Sequence, residues 1–98
     1  MDKKNIMHFL ACVGEECGEI QQLAGKAIRF GVHDANPMTN ESNREVTIRE
    51  FNDLCGAMIT LFDCPLEDLL SYQDINRKNK KIMHWLDYAK AQEETTIA

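Results

Sequence analysis

Ninety-eight residues with 16 acidic and 11 basic side chains, a formal charge of −5, describe one domain and exclude a protein that grips a nucleic-acid backbone, a task that needs surplus lysine and arginine. Charged residues interrupt every apolar stretch, so none is long enough to span a bilayer, and Met1-Asp2-Lys3-Lys4 lacks the apolar run of a signal peptide. Cys12, Cys17, Cys55 and Cys64 have no C-x-x-C spacing and read as small apolar residues of a reducing cytoplasm, with no membrane partner.

Ile6, Leu10, Val13, Cys17, Ile20, Ala24 and Ala27 recur at alternating steps of four and three. That spacing predicts a helix with a narrow apolar seam centred near Cys17 and Ala24. On a wheel of about 100° per residue, Glu16 stands roughly 70° from this centre, Glu19 roughly 130°, and Glu15 nearly opposite. Gly14 and Gly18 share a face and predict close approach of another backbone. Gly31 reads as the helix stop, and the stretch 31–39, with Asp34, Asn36 and Pro37, as loop.

Thr39 or Asn40 is the expected cap of a second helix, with Glu41 in its first turn. Ile48, Phe51, Leu54, Cys55, Met58, Ile59 and Phe62 follow helical spacing, and Glu50 and Asp53 fall on the flank shared with Val46, Ala57 and Leu61. Asp63-Cys64-Pro65 breaks the chain, with Pro65 expected at the first position of a short third helix built on Leu66, Leu69 and Leu70. A fourth helix is expected from about 73 to 92, with Ile75, Ile82, Trp85, Leu86 and Ala89 inward and a basic run from Arg77 to Lys81, followed by a frayed tail at 93–98. Phe9 and Trp85 fit apolar seams as packing residues, and His8, His33 and His84 receive no role. No segment alternates with period two, so the fold class is all-α, one helical domain over residues 1–98.

Two acidic pairs carry the chemistry. Glu16 and Glu19, then Glu50 and Asp53, are each spaced i, i+3, which sets both members of a pair on one helix face. Two such helices side by side would converge four carboxylates. Unit charges about 5 Å apart repel by roughly 3 kcal/mol per pair at an effective dielectric near 20. A hard cation with a taste for oxygen, Mg²⁺ or Mn²⁺, is the expected filler.

The order E-E-x-x-E, loop, E-x-x-D, written here as Glu15-Glu16-Cys17-Gly18-Glu19 and Glu50-Phe51-Asn52-Asp53, resembles the MazG-like all-α nucleoside triphosphate pyrophosphohydrolase superfamily. Lys26-Ala27-Ile28-Arg29-Phe30-Gly31, Asn43, Lys78 and Lys81 are similar to the small stand-alone members found in phages, and the likeness spans roughly residues 9 to 90. The gap between Glu19 and Glu50 is longer than is usual in that family, with the extra residues in the Pro37 loop, where insertion is tolerated. The resemblance implies a four-helix-bundle-like domain, and the exposed seam width on so short a chain predicts a core completed in a homodimer or homotetramer. It also implies Mg²⁺-dependent hydrolysis of a (d)NTP to (d)NMP and pyrophosphate, as nucleotide-pool control or house-cleaning. Glu16, Glu19, Glu50 and Asp53 would then be catalytic metal ligands, Glu19 also positioning water. Lys26, Arg29, Lys78 and Lys81 would contact phosphate, and Asn43 ribose or base. Two other readings use the same residues: a phosphoribosyl-ATP pyrophosphohydrolase of the same superfamily, and a non-enzymatic helical interaction or regulatory protein.

Overall fold

An apolar stripe on one helix stays wet until a second helix covers it, and the chain meets that demand by folding back on itself. A computed structural model describes the backbone of residues 2–97 and the side chains of residues 2–93. Four helices follow in order: α1 (Lys3–Phe30), α2 (Asn43–Phe62), α3 (Leu66–Leu69) and α4 (Tyr72–Ile97). No strand occurs among the described residues; Ala35 and Ser42 form an isolated antiparallel bridge.

Local chemistry sets each boundary. The Asp2 carboxylate accepts the Lys4 N–H at 3.1 Å and caps α1. Gly31 closes α1 at φ 100°, a value an L side chain rarely adopts. The expected cap at Thr39 or Asn40 is displaced to Ser42, where a capping box forms. Ser42 Oγ accepts the Glu45 N–H at 3.1 Å, and Glu45 Oε1 accepts the Ser42 N–H at 3.3 Å. Glu41 therefore stays in the loop, ion-paired to Arg49, and Asn40 takes a left-handed turn at φ 61°. Asp63, left-handed at φ 50°, ends α2. Pro65 caps α3 from one position before the one expected. Ser71 Oγ accepts the Asp74 N–H at 3.2 Å at the head of α4. The tail expected to fray at 93–98 is helical to Ile97, with Ala98 outside the described residues.

The connection between α1 and α2 is laced rather than slack. Asn43 donates its backbone N–H to Asp34 O at 2.9 Å, Arg44 to Val32 O at 2.9 Å, and Asn36 to Glu41 O at 2.9 Å. The Asn43 side chain donates from Nδ2 to Gly31 O at 2.8 Å, tying the end of one helix to the start of the next. At 4% exposure Asn43 is the sole buried residue among those described.

The antiparallel α1–α2 pair and the short α3 against α2 make up the packed part of the chain, and α4 packs on neither α1 nor α2. No apolar side chain among the described residues is fully buried. The radius of gyration is 17.7 Å, against about 13 Å for a compact domain of this length. The accessible surface is 8125 Å², roughly 2,400 Å² above that of a compact chain of this mass. The four helices thus do not close a bundle within one chain.

Replacing Asn43 by Ala removes the Nδ2–Gly31 O bond and leaves that carbonyl only the longer 3.4 Å bond from the Asp34 N–H, at a cost of about 1–2 kcal/mol. Thermal melting followed by circular dichroism will show the midpoint lowered by roughly 4–8 °C per kcal/mol.

Candidate metal centre

The face that α1 turns toward α2 carries Phe9, Val13, Glu16, Ile20, Leu23 and Ala27, all half-buried. This face is turned roughly 70° from the seam centre expected at Cys17 and Ala24, both of which are exposed. The apolar stripe is broader than the narrow seam the spacing predicts, because Phe9 and Leu23 extend it on one side: α2 covers the Glu16 side, and Leu10, Cys17 and Ala24 stay exposed. Glu16 therefore sits in the middle of the helix pair, between Phe9 and Leu23 one heptad apart on either side. Across from it α2 presents Val46, Glu50, Ala57 and Leu61, half-buried, with exposed Asp53 at the edge.

One carboxylate oxygen each from Glu16, Glu50 and Asp53 lies within 4.8 Å of the others. Glu16 Oε2 is shut off from solvent and has no hydrogen-bond partner. Such an orphan is rare, because an unpaired buried oxygen forfeits its hydration without return. Its environment raises the Glu16 pKa above the ordinary carboxylate value. Burial is the largest cause, followed by the nearby Glu50 carboxylate, which accepts a hydrogen bond only once Glu16 is protonated, then the charges of Asp53, Glu50 and Glu19.

The donor set fits a small hard cation. All three groups offer oxygen, the preference of Mg²⁺ and Mn²⁺. Oxygens around six-coordinate Mg²⁺ stand roughly 3–4 Å apart, so the 4.8 Å spread closes with small side-chain rotations.

Three of the four acids expected to converge are therefore brought together, and Glu19 stands apart. It is exposed and outside the close group, although Glu16 still feels its charge. The cause is rotational, since an i+3 residue is displaced about 60° round the helix. Glu15 is exposed, as expected. Lys26 is half-buried two turns beyond Glu19, and Arg29 is exposed with its guanidinium 5.7 Å from the centre of the Phe30 ring. Asn43, expected to meet ribose or base, has its amide nitrogen engaged with Gly31 O in the interhelical junction. Lys78 and Lys81 are exposed on α4, which does not pack on the helices that carry the acids.

Sequence reasoning missed a cavity of about 220 Å³ between α1 and α2, lined by His8, Phe9, Cys12, Gly56, Ala57 and Thr60. Its signal was present in the spacing: Cys12 lies one turn before Glu16, and Ala57 one turn after Asp53. The four cysteines form no disulfide; Cys12, Cys55 and Cys64 are half-buried and Cys17 is exposed. No helix among the described residues is long and apolar enough to cross a membrane. No family model, no curated protein and no solved structure matches the chain.

A carboxyl whose pKa is raised by folding contributes stability while protonated and loses it as pH rises through the raised value. In chelator, the wild-type protein will therefore gain stability on mild acidification, and Glu16→Gln will melt above wild type at neutral pH. Mg²⁺ will raise the wild-type melting temperature and leave that of Glu16→Gln nearly unmoved. Scanning calorimetry with and without the cation checks both signs.

Proposed function

We propose that the chain is a Mg²⁺-dependent nucleotide pyrophosphohydrolase, converting a (d)NTP to (d)NMP and pyrophosphate in a reducing cytoplasm. The observation that carries this reading is the meeting of Glu16, Glu50 and Asp53 within 4.8 Å around an oxygen with no partner. The order of the acidic pairs and the Lys26 to Gly31 run add the resemblance to small phage-type MazG-like proteins. The unclosed bundle and its surplus surface support assembly as a homodimer or homotetramer.

In this reading Glu16, Glu50 and Asp53 would hold the cation, with Mn²⁺ an acceptable substitute. When bound, the cation supplies the positive charge that polarises phosphoryl oxygens and acidifies a nearby water. Glu19, exposed beside the cluster and outside its close group, is free to orient the attacking water and accept its proton at a carboxylate oxygen. The water oxygen then bonds to the α-phosphorus in line with the departing pyrophosphate, and the bond to the α–β bridging oxygen breaks. Lys26, two turns from Glu19, lies on the same side of α1 and adds positive charge along the phosphate tail. Arg29, Lys78 and Lys81 are further candidates for that role, and the half-buried aliphatic flank of the helix pair limits water around the reacting phosphorus.

Glu50→Gln and Asp53→Asn each remove a charged ligand while preserving shape. Each will lower pyrophosphate release from dNTPs on the order of 100-fold or more, with the helical circular dichroism signal unchanged. Wild-type turnover in either variant would falsify the assignment. An interaction module on the same scaffold would instead show no stoichiometric Mg²⁺ binding in a calorimetric titration.

A further inference from the structure

The cavity between α1 and α2 opens on the same edge of the helix pair as the acidic cluster. At about 100° per residue, Cys12 and His8 turn roughly 40° and 80° from Glu16 toward the side that Glu19 takes. On α2, Thr60 turns roughly 80° from Glu50 toward the side that Asp53 takes. The cavity lies one to two turns from the cluster, toward the start of α1 and the end of α2. Lys26 stands on the same edge in the opposite direction, about 15 Å along α1 from Glu16. Cavity, acids and lysine therefore follow one another in a line, with the acids in the middle. Half-buried Phe9, Cys12 and Ala57 make an apolar floor, and exposed His8, Gly56 and Thr60 form the rim. Small residues keep the space open: a methyl group on Gly56 would meet no atom within 4 Å. The Thr60 hydroxyl donates to Gly56 O at 2.9 Å, so only its lone pairs are left for the cavity. His8 Nε2 lies 3.9 Å from Cys12 Sγ. Whole small molecules fill pockets of about 300–1,000 Å³; a volume of about 220 Å³ takes one planar ring system of such a molecule.

Resting on the proposed function, we propose that this cavity is the base subsite and that it fixes the direction of the nucleotide along the helix pair. The heterocycle enters between Phe9 and Ala57, the sugar bridges to the acids, and the α-phosphate lies at Glu16, Glu50 and Asp53. The departing pyrophosphate then points toward Lys26. An apolar floor takes the π face of a base, a contact that any base can make. At the rim Thr60 accepts from an N–H on the base edge, and His8 donates or accepts according to its tautomer. Gly56 and Ala57 set the size of the base admitted, because a longer side chain at either position fills the space that the ring needs.

Two measurements decide it. Gly56→Leu raises KM for dNTPs about tenfold or more, the loss expected when a base is denied its stacking surface. Its Mg²⁺ affinity by calorimetry and its helical circular dichroism stay at wild-type values. Gly56→Ala, which intrudes by one methyl and favours the helix, shows a smaller rise and keeps the test open if the leucine variant misfolds. Alkylation by N-ethylmaleimide, resolved by fragment-ion mass spectrometry, gives the second readout. Mg²⁺ with a non-hydrolysable α,β-imido dNTP slows modification of Cys12 and leaves Cys17 unaffected, since Cys17 is exposed and turned about 100° from Glu16 on the other side. A wild-type KM in the folded Gly56 variants, or Cys12 unprotected by all four imido nucleotides, overturns the proposal and leaves the hydrolase reading standing beside an active wild type. If the wild type hydrolyses no nucleotide, the hydrolase reading fails and the alkylation decides the subsite by itself: protection of Cys12 alone supports it, and no protection overturns it.

Discussion

The repulsion between carboxylates that α1 and α2 press together governs this molecule. Glu16 is held by its apolar neighbours in the middle of a helix pair, with one oxygen closed to water and two further acids within reach. Packing and electrostatics conflict at that point. Phe9, Val13, Ile20 and Leu23 favour bringing the helices together, and the charges oppose it. In the proposed reading a divalent cation would reconcile the two, because the hydrophobic contact that forces the acids inward would also build the site that neutralises them. Strain of this kind is retained where a ligand makes use of it.

The second constraint is the shortage of interior. A helical pair with a four-residue α3 buries no apolar side chain completely, and its only buried residue is an asparagine that stitches the connection. Stability in one chain then rests on half-covered seams and on hydrogen bonds in the loop. Helices of 28, 20 and 26 residues gain little from propensity alone without packing. The exposed apolar stripes on α1, α2 and α4 are therefore unspent packing capacity.

Much of the local structure was legible. The 3–4 spacing marked three long helices and a short one, Gly31 marked the end of α1, and the two i, i+3 acidic pairs marked the candidate centre. The second helix start was misplaced although its signal was present. Ser42-Asn43-Arg44-Glu45 is a capping box, and two reciprocal hydrogen bonds there outweigh the single bond that Thr39 or Asn40 could form. The role of Asn43 was obscured for another reason. Its partner, Gly31 O, lies twelve residues away, and only the closed loop brings them together.

By itself the sequence determined the helices, their order, the acids and the spacing that sets each pair on one face, because these follow from backbone periodicity and local capping. Only the tertiary structure decided which part of the wide α1 seam meets α2. That choice carried Glu16 to the centre, left Glu19 at the margin and sent α4 away from the pair. Helix rotation and docking depend on how side chains from distant segments interlock, and a stripe broad enough for two neighbours does not specify which of its edges is covered first.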